Sequence, residues 1–325
     1  MNQSKEYFII YFQGCERGRY FSEFKEYICI KNITTTMIMT TRLSINDKLP
    51  LTCSRKGTCC HGNLVTLHPW ELATLARAKK VTSRVFRDQF CDFGGIRLRF
   101  NGEVGWNGKQ ACSQYIGNFG CSVHLGRPLA CRLFPLGRQI QGEEVHYMFQ
   151  GEKFPCMEGC PEVSDLPYLT VGEYMNGQKT EMFEKAQDEY LNLMQNLADI
   201  AFELLLETGL AESGDKETLP LWRKMGNELP DILADRIGYE WMDNLMIPEI
   251  YAEIDDPASF ARKHTDLLQS KVQEKFGALQ TNQEFHKASV FIMGVALHLA
   301  RGLGANPEIL VEHWIDTAKN NGAVE

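Results

Sequence analysis

The spacing of apolar residues changes character along the chain. Residues 1–48 keep no sustained helical or strand period and are rich in aromatic residues and threonine, as in Ile33 to Met37. A short apolar run, Leu64 to Leu67, then leads into His68, Pro69 and Trp70. Proline suits the first helical position, and Leu72, Leu75 and Ala76 recur at helical spacing; the pattern predicts helices over about 69–80 and 83–91. Ile96 to Phe100 alternates and runs into Asn101-Gly102, which predicts a hairpin returning through Glu103 to Trp106. A second hairpin is expected around Gly142, between Leu136–Ile140 and Val145–Phe149. Beyond Thr180 the period is helical nearly to the end. Phe183, Ala186, Tyr190, Leu193, Leu197 and Ala201 mark one face of a long helix that Thr180 caps and Gly209 ends. Further helices are expected over about 220–246, 257–276, 282–302 and 307–320, the last opened by Asn306-Pro307.

These elements give an α+β fold, a small cysteine-rich module of short helices and hairpins followed by an α-helical domain. The expected boundaries are a variable N-terminal arm over 1–48, the module over 49–174 and the helical domain over 175–325. Met37 and Met39 are alternative start positions, which would make the residues upstream an extension of the reading frame.

Composition narrows the chemistry. With 325 residues, 44% hydrophobic and 23% charged content, the chain is an ordinary globular sequence, not a disordered or collagen-like one. Its net charge of −8 argues against a broad nucleic-acid footprint. The longest apolar stretch, Phe291 to Ala300, is about half of the ~20 residues a bilayer span needs, so no membrane span is expected. No export signal is legible near the start, and a cytoplasmic, reducing location is expected.

Sulfur is the distinctive feature. Nine of the eleven cysteines lie between Cys53 and Cys160, and none follows. In a reducing compartment such clustering favours metal ligation over disulfides. Cys53-x5-Cys59-Cys60 opens the set, Cys112-x8-Cys121-x2-His124 and Cys131 continue it, and Cys156-x3-Cys160 closes it. Thiolates brought together from separate loops complete a tetrahedral zinc site or hold an iron–sulfur cluster. The expected metal ligands are therefore Cys53, Cys59, Cys60, Cys112, Cys121, Cys131, Cys156 and Cys160. Cys59 and Cys60 need a bend between them to reach one centre, or else they serve two neighbouring centres. Cys15 and Cys29 lie in the arm and stay outside the set, and Cys91, at the end of a helical pattern, is expected in the core.

The run Cys53-Ser-Arg-Lys-Gly-Thr-Cys59-Cys60, with Leu64 to Ala76 after it, resembles the opening of the CxxCxxCC cysteine-cluster (YkgJ-like) family, described as zinc- or iron-chelating. The run Gly120-Cys-Ser-Val-His-Leu-Gly-Arg-Pro-Leu-Ala-Cys-Arg-Leu-Phe-Pro135 is similar to the family's second motif. Cys160-Pro161 resembles the family's trailing cysteine and Leu169 to Tyr174 the segment after it, so the likeness spans roughly 50–180. Two positions depart from the pattern: Lys56 stands where the family has a second cysteine, and His124 stands where it has tyrosine and is a replacement ligand by type. The resemblance implies zinc or an iron–sulfur cluster, with a redox or catalytic role as one reading. A zinc-stabilised module binding an unidentified protein or small molecule is the second. A third, protein lysine N-methylation, comes from flagellin lysine N-methylases, which resemble the same cysteine pattern.

Arg127 and Arg132 flank Cys131 and are expected either to donate to cluster sulfur or to form salt bridges with the acidic helical half. His61, His68 and His146 are nitrogen donors by type but more often structural, and His298 reads as a core histidine.

Overall fold

The computed structural model of the chain describes residues 9–10, 40–50, 57–141, 144–150 and 168–325. Strands β1 (Ile9–Ile10), β2 (Thr40–Leu43) and β3 (Lys48–Pro50) precede helices α1 (Pro69–Lys79) and α2 (Ser83–Phe90). Six short strands come next: β4 (Cys91–Asp92), β5 (Arg97–Leu98), β6 (Phe100–Val104), β7 (Gln110–Cys112), β8 (Tyr115–Ile116) and β9 (Gly120–Cys121). Then come α3 (Leu129–Leu133), β10 (Leu136–Gln141), β11 (Glu144–Gln150) and β12 (Tyr168–Thr170). The rest is helical: α4 (Val171–Gln178), α5 (Glu181–Leu206), α6 (Thr218–Asn227), α7 (Pro230–Ile237), α8 (Tyr239–Met246), α9 (Pro257–Phe276), α10 (Asn282–Gly302) and α11 (Pro307–Asn320). The fold is thus the α+β mixture that the sequence patterns predict, with a helical C-terminal region. No helix among the described residues is long and apolar enough to cross a membrane.

The hairpin expected around Gly142 forms, with β10 and β11 antiparallel and Gln141 opposite Glu144. Its outer neighbours come from the expected arm: β1 pairs with β10, and β2 with β11. The other expected hairpin is displaced. Asn101 and Gly102 lie inside β6, where the Asn101 side chain accepts the Glu103 N–H at 2.8 Å. The chain reverses later, through the turn at Trp106–Gly108, and β6 returns along β7. An Asn-Gly pair supplies a bend, but here the bend is absorbed as an irregularity in the strand.

Helix α1 starts at Pro69 as expected, and every residue from Pro69 to Ala76 is buried. The single helix expected over about 220–246 is three. Pro230 occupies the first turn of α7, and Gly238, at φ 85°, separates α7 from α8. Thr180 precedes α5 but makes no capping bond through its side chain. The helices expected near 257–276, 282–302 and 307–320 form with those bounds.

Helix α10 is the axis of the molecule, buried from Ala288 to Gly302 except at Phe291 and packed on α5, α6 and α7. It also touches the cysteine-rich half. A Cβ at Gly302 would meet the Leu67 carbonyl oxygen at 2.6 Å, so the close approach requires glycine. His298 Nε2 donates to the Phe93 carbonyl at 3.1 Å. One hydrophobic cluster accordingly runs from Leu67, Leu72 and Leu129 through Tyr190 to Met293 and Trp314. Polar contacts reinforce it: Trp70 Nε1 donates to Ile254 O at 2.9 Å, and Arg138 on β10 donates to Gln187 and Asp188 on α5.

Three imidazoles in this interior are held neutral. Burial lowers His68 to a pKa of about 3, His264 to about 4 and His298 to about 3, with Arg301 adding to the effect at His298. In the unfolded chain they protonate near pH 6.5. The unfolded state therefore takes up protons first as the pH falls, and stability is lost from about pH 6.5 downward. His298→Gln keeps an amide N–H for Phe93 but cannot titrate. Urea unfolding from pH 7 to pH 4 should show wild type losing stability faster than this variant, by about 1.4 kcal/mol per pH unit. A difference that does not vary with pH would refute the assignment.

Candidate metal centre

The first cysteine pair sits in a tight turn. Gly57, at φ 81°, opens a 3-10 turn over Thr58–Cys60, and the Cys60 N–H donates to the Gly57 carbonyl at 2.8 Å. This is the bend that adjacent Cys59 and Cys60 need: three residues per turn direct successive side chains about 120° apart instead of to opposite faces. Glycine is required twice over at position 57. Its φ is left-handed, and a Cβ would come within 2.5 Å of the Tyr115 ring. His61, next in the chain, donates from Nδ1 to Gly57 O at 2.9 Å and meets the same ring edge-on at 4.5 Å.

The later cysteines come from three more segments: Cys112 ends β7, Cys121 ends β9, and Cys131 is the middle residue of the five-residue helix α3. Burial pushes the Cys131 thiol well above its ordinary range, and Cys121, Cys112 and Cys59 push it the same way, opposed by Arg127. Burial also raises Cys112, to about 11, and Cys121 adds to this. The Gln114 N–H, 3.5 Å from Cys112 Sγ, works against the rise. Cys121, Cys112 and Cys59 are thus each within electrostatic reach of Cys131, and Cys91 is likewise within reach of Cys112. Among the described residues, no three His, Cys, Asp or Glu side chains already form a set that could hold an ion.

The donor chemistry fits zinc or an iron–sulfur centre. The candidate donors around Cys131 are sulfur, and N–H donation to Cys112 is the kind of support that metal-bound thiolates receive. Thr58, beside Cys59, has a buried hydroxyl with no hydrogen-bond partner, a donor left over beside the sulfurs. Cys60 is partly buried and packs against the edge of the hydrophobic cluster. Cys91 lies in the core, 4% exposed in β4. Cys53, Cys156 and Cys160 lie outside the described residues.

Arg132 takes neither of the roles expected of it. It donates to the carbonyls of Arg127 at 2.9 Å, Leu125 at 2.6 Å and Gln178 at 2.7 Å, and lies over the Phe183 ring at 3.9 Å. It ties the loop before α3 to the end of α4. Arg127 contacts His124 Nε2 and the Gln178 side chain. His124 thus turns Nε2 toward Arg127. His146 pairs with Glu144 at 3.0 Å.

Sequence reasoning gave no role to Glu71, which is 1% exposed on α1. Its Oε1 accepts the Leu129 N–H of α3 at 2.6 Å, and its Oε2 lies 3.4 Å from the His68 N–H. Burial raises its pKa to about 7, with these two N–H groups and Arg132 opposing. The only signal in the sequence was an acidic residue on a helix otherwise buried on all sides.

No curated protein and no solved structure matches the chain. Residues 52–151, 100 of the chain's 325, match the CxxCxxCC family model, described as "Putative zinc- or iron-chelating domain", and the match takes in both motifs and Cys59, Cys112, Cys121 and Cys131.

Proposed function

We propose that this protein chelates zinc or an iron–sulfur centre through Cys59, Cys112, Cys121 and Cys131. The reading is supported by three other thiols, from three separate segments, lying within electrostatic reach of Cys131. A bound zinc ion would supply folding energy through a closed thiolate site, and an iron–sulfur cluster would supply one-electron redox chemistry. The chain's own contribution is the same in either case. Burial keeps the Cys112 and Cys131 thiols protonated until a cation replaces the protons, the Gln114 N–H supports the Cys112 sulfur, and the positive charge of Arg127 favours thiolate at Cys131. Cys53, Cys60, Cys156 and Cys160 remain proposed as further ligands on sequence grounds.

A second reading, a zinc-stabilised module whose helical half binds a partner, draws support from a groove of about 390 Å³ between α5 and α9. It is lined by Glu189, Asn192, Asn196, Ser259, Arg262 and Asp266, a polar surface suited to a charged small molecule or peptide. The lysine methylase reading has no such support among the described residues.

Metal and acid-labile sulfide content of anaerobically purified protein, with its visible spectrum, separates the readings. Iron with sulfide and a broad visible absorption selects the cluster; stoichiometric zinc in a colourless protein selects the structural site; neither metal contradicts the proposal. Cys131→Ser is expected to lose most of the bound metal, whereas Cys91→Ser should retain it. Unchanged metal stoichiometry in Cys131→Ser would remove that residue from the centre.

A further inference from the structure

Helix α3, which presents Cys131, is too short to hold itself. It has five residues, Pro128 at its cap position offers no side-chain bond, and the Cys131 and Arg132 N–H groups both turn back to the Pro128 carbonyl. The Leu129 N–H is left over, buried, and takes its acceptor from a residue 58 positions away, Glu71. The second oxygen of the same carboxyl faces the start of α1, 3.4 Å from the His68 N–H. One side chain therefore caps two helices at once and fixes their relative position. On the other side of Cys131, Arg132 anchors α3 to Leu125, Arg127 and Gln178.

We propose that Glu71 is the positioning residue of the metal centre: by accepting the Leu129 N–H it sets the orientation of α3 and so the place of the Cys131 sulfur among the other thiols. The inference rests on the metal-chelating reading above. Glu71 acts through the backbone of α3, on a helix with no side-chain cap of its own.

Glu71 also shows why the neighbouring interior is polar. His68 has both ring nitrogens buried without a hydrogen-bond partner, and its Nε2 lies 3.6 Å from Glu71 Oε2. The His68 ring packs on Tyr190 of α5 at 4.9 Å, and the Tyr190 hydroxyl lies 3.0 Å from His264 Nδ1. The clamp on α3 is thus backed directly by the helical half.

Three substitutions test the role. Glu71→Gln keeps an oxygen for the Leu129 N–H, gives up only the longer 3.4 Å bond from the His68 N–H, and offers an amide N–H toward the open ring nitrogen of His68. Glu71→Ala removes the acceptor, and Glu71→Asp keeps the charge but falls one methylene short of Leu129. Ser289→Ala, which deletes a buried hydroxyl bonded to Ala201 O in the helical half, controls for general loss of stability. Zinc affinity is read by competition with a chelator, and the site is read by the ligand-field spectrum of the cobalt(II)-substituted protein.

Glu71→Gln and Ser289→Ala should keep the wild-type cobalt spectrum and near wild-type affinity. Glu71→Ala should bind zinc about tenfold or more weakly, the scale of leaving one buried backbone donor unmade, with an altered spectrum. If Glu71→Ala does not fold, Glu71→Asp takes its place with the same expectation. Wild-type affinity and spectrum in the Ala or Asp variant, or an equal loss in Ser289→Ala, overturn the positioning role while leaving the metal reading standing. A wild-type protein that binds neither metal overturns both.

Discussion

A thiol withdrawn from water holds its proton unless a cation takes the proton's place, and this constraint governs the centre of the molecule. Cys131 and Cys112 are both driven toward the neutral form by burial, and each is driven further by its neighbours. Thiols within electrostatic reach of one another are a poor arrangement for a core, since sulfur packs no better there than a methyl group would. They are a good arrangement for a soft metal, which converts the mutual penalty on thiolates into shared attraction. Arg127 favours thiolate at Cys131 in the metal-free protein, but a single arginine does not offset burial together with three other thiols.

The helical half is the wall against which that arrangement is held. Helix α10 passes behind the cysteine-rich region at the distance that Gly302 permits, and α5 brings Phe183 under Arg132 and Tyr190 against His68. The polar side chains trapped along this contact include neutral imidazoles and a carboxyl raised to about 7, beside the ion pair of buried Arg138 with Asp188. Such groups contribute little net stability, but they allow few alternative packings, because each misplacement strands a buried polar atom.

Much of this was legible in the sequence, for physical reasons that also mark the limit. The helices at 257–276, 282–302 and 307–320 announce themselves because a capping residue at the start, followed by proline at 257 and 307, agrees with the apolar period. The break at Gly238 was missed because the apolar period continues through it, and the hairpin at Asn101-Gly102 was misplaced because a turn-prone pair can also be a strand irregularity. That Cys59, Cys112 and Cys121 should come within electrostatic reach of Cys131 could be expected from residue type, but spacing in sequence does not determine which of eight cysteines share a site. Glu71 was hidden for a different reason. Its partner, Leu129, is 58 residues away, and a hydrogen bond to backbone leaves no trace in side-chain pattern.

The central claim is that sulfur alone surrounds the metal. X-ray absorption of the zinc- or iron-loaded protein measures this directly, by counting the atoms of the first shell and their distance. The account requires a shell of sulfur, at about 2.3 Å for zinc. A shell dominated by nitrogen or oxygen would contradict it.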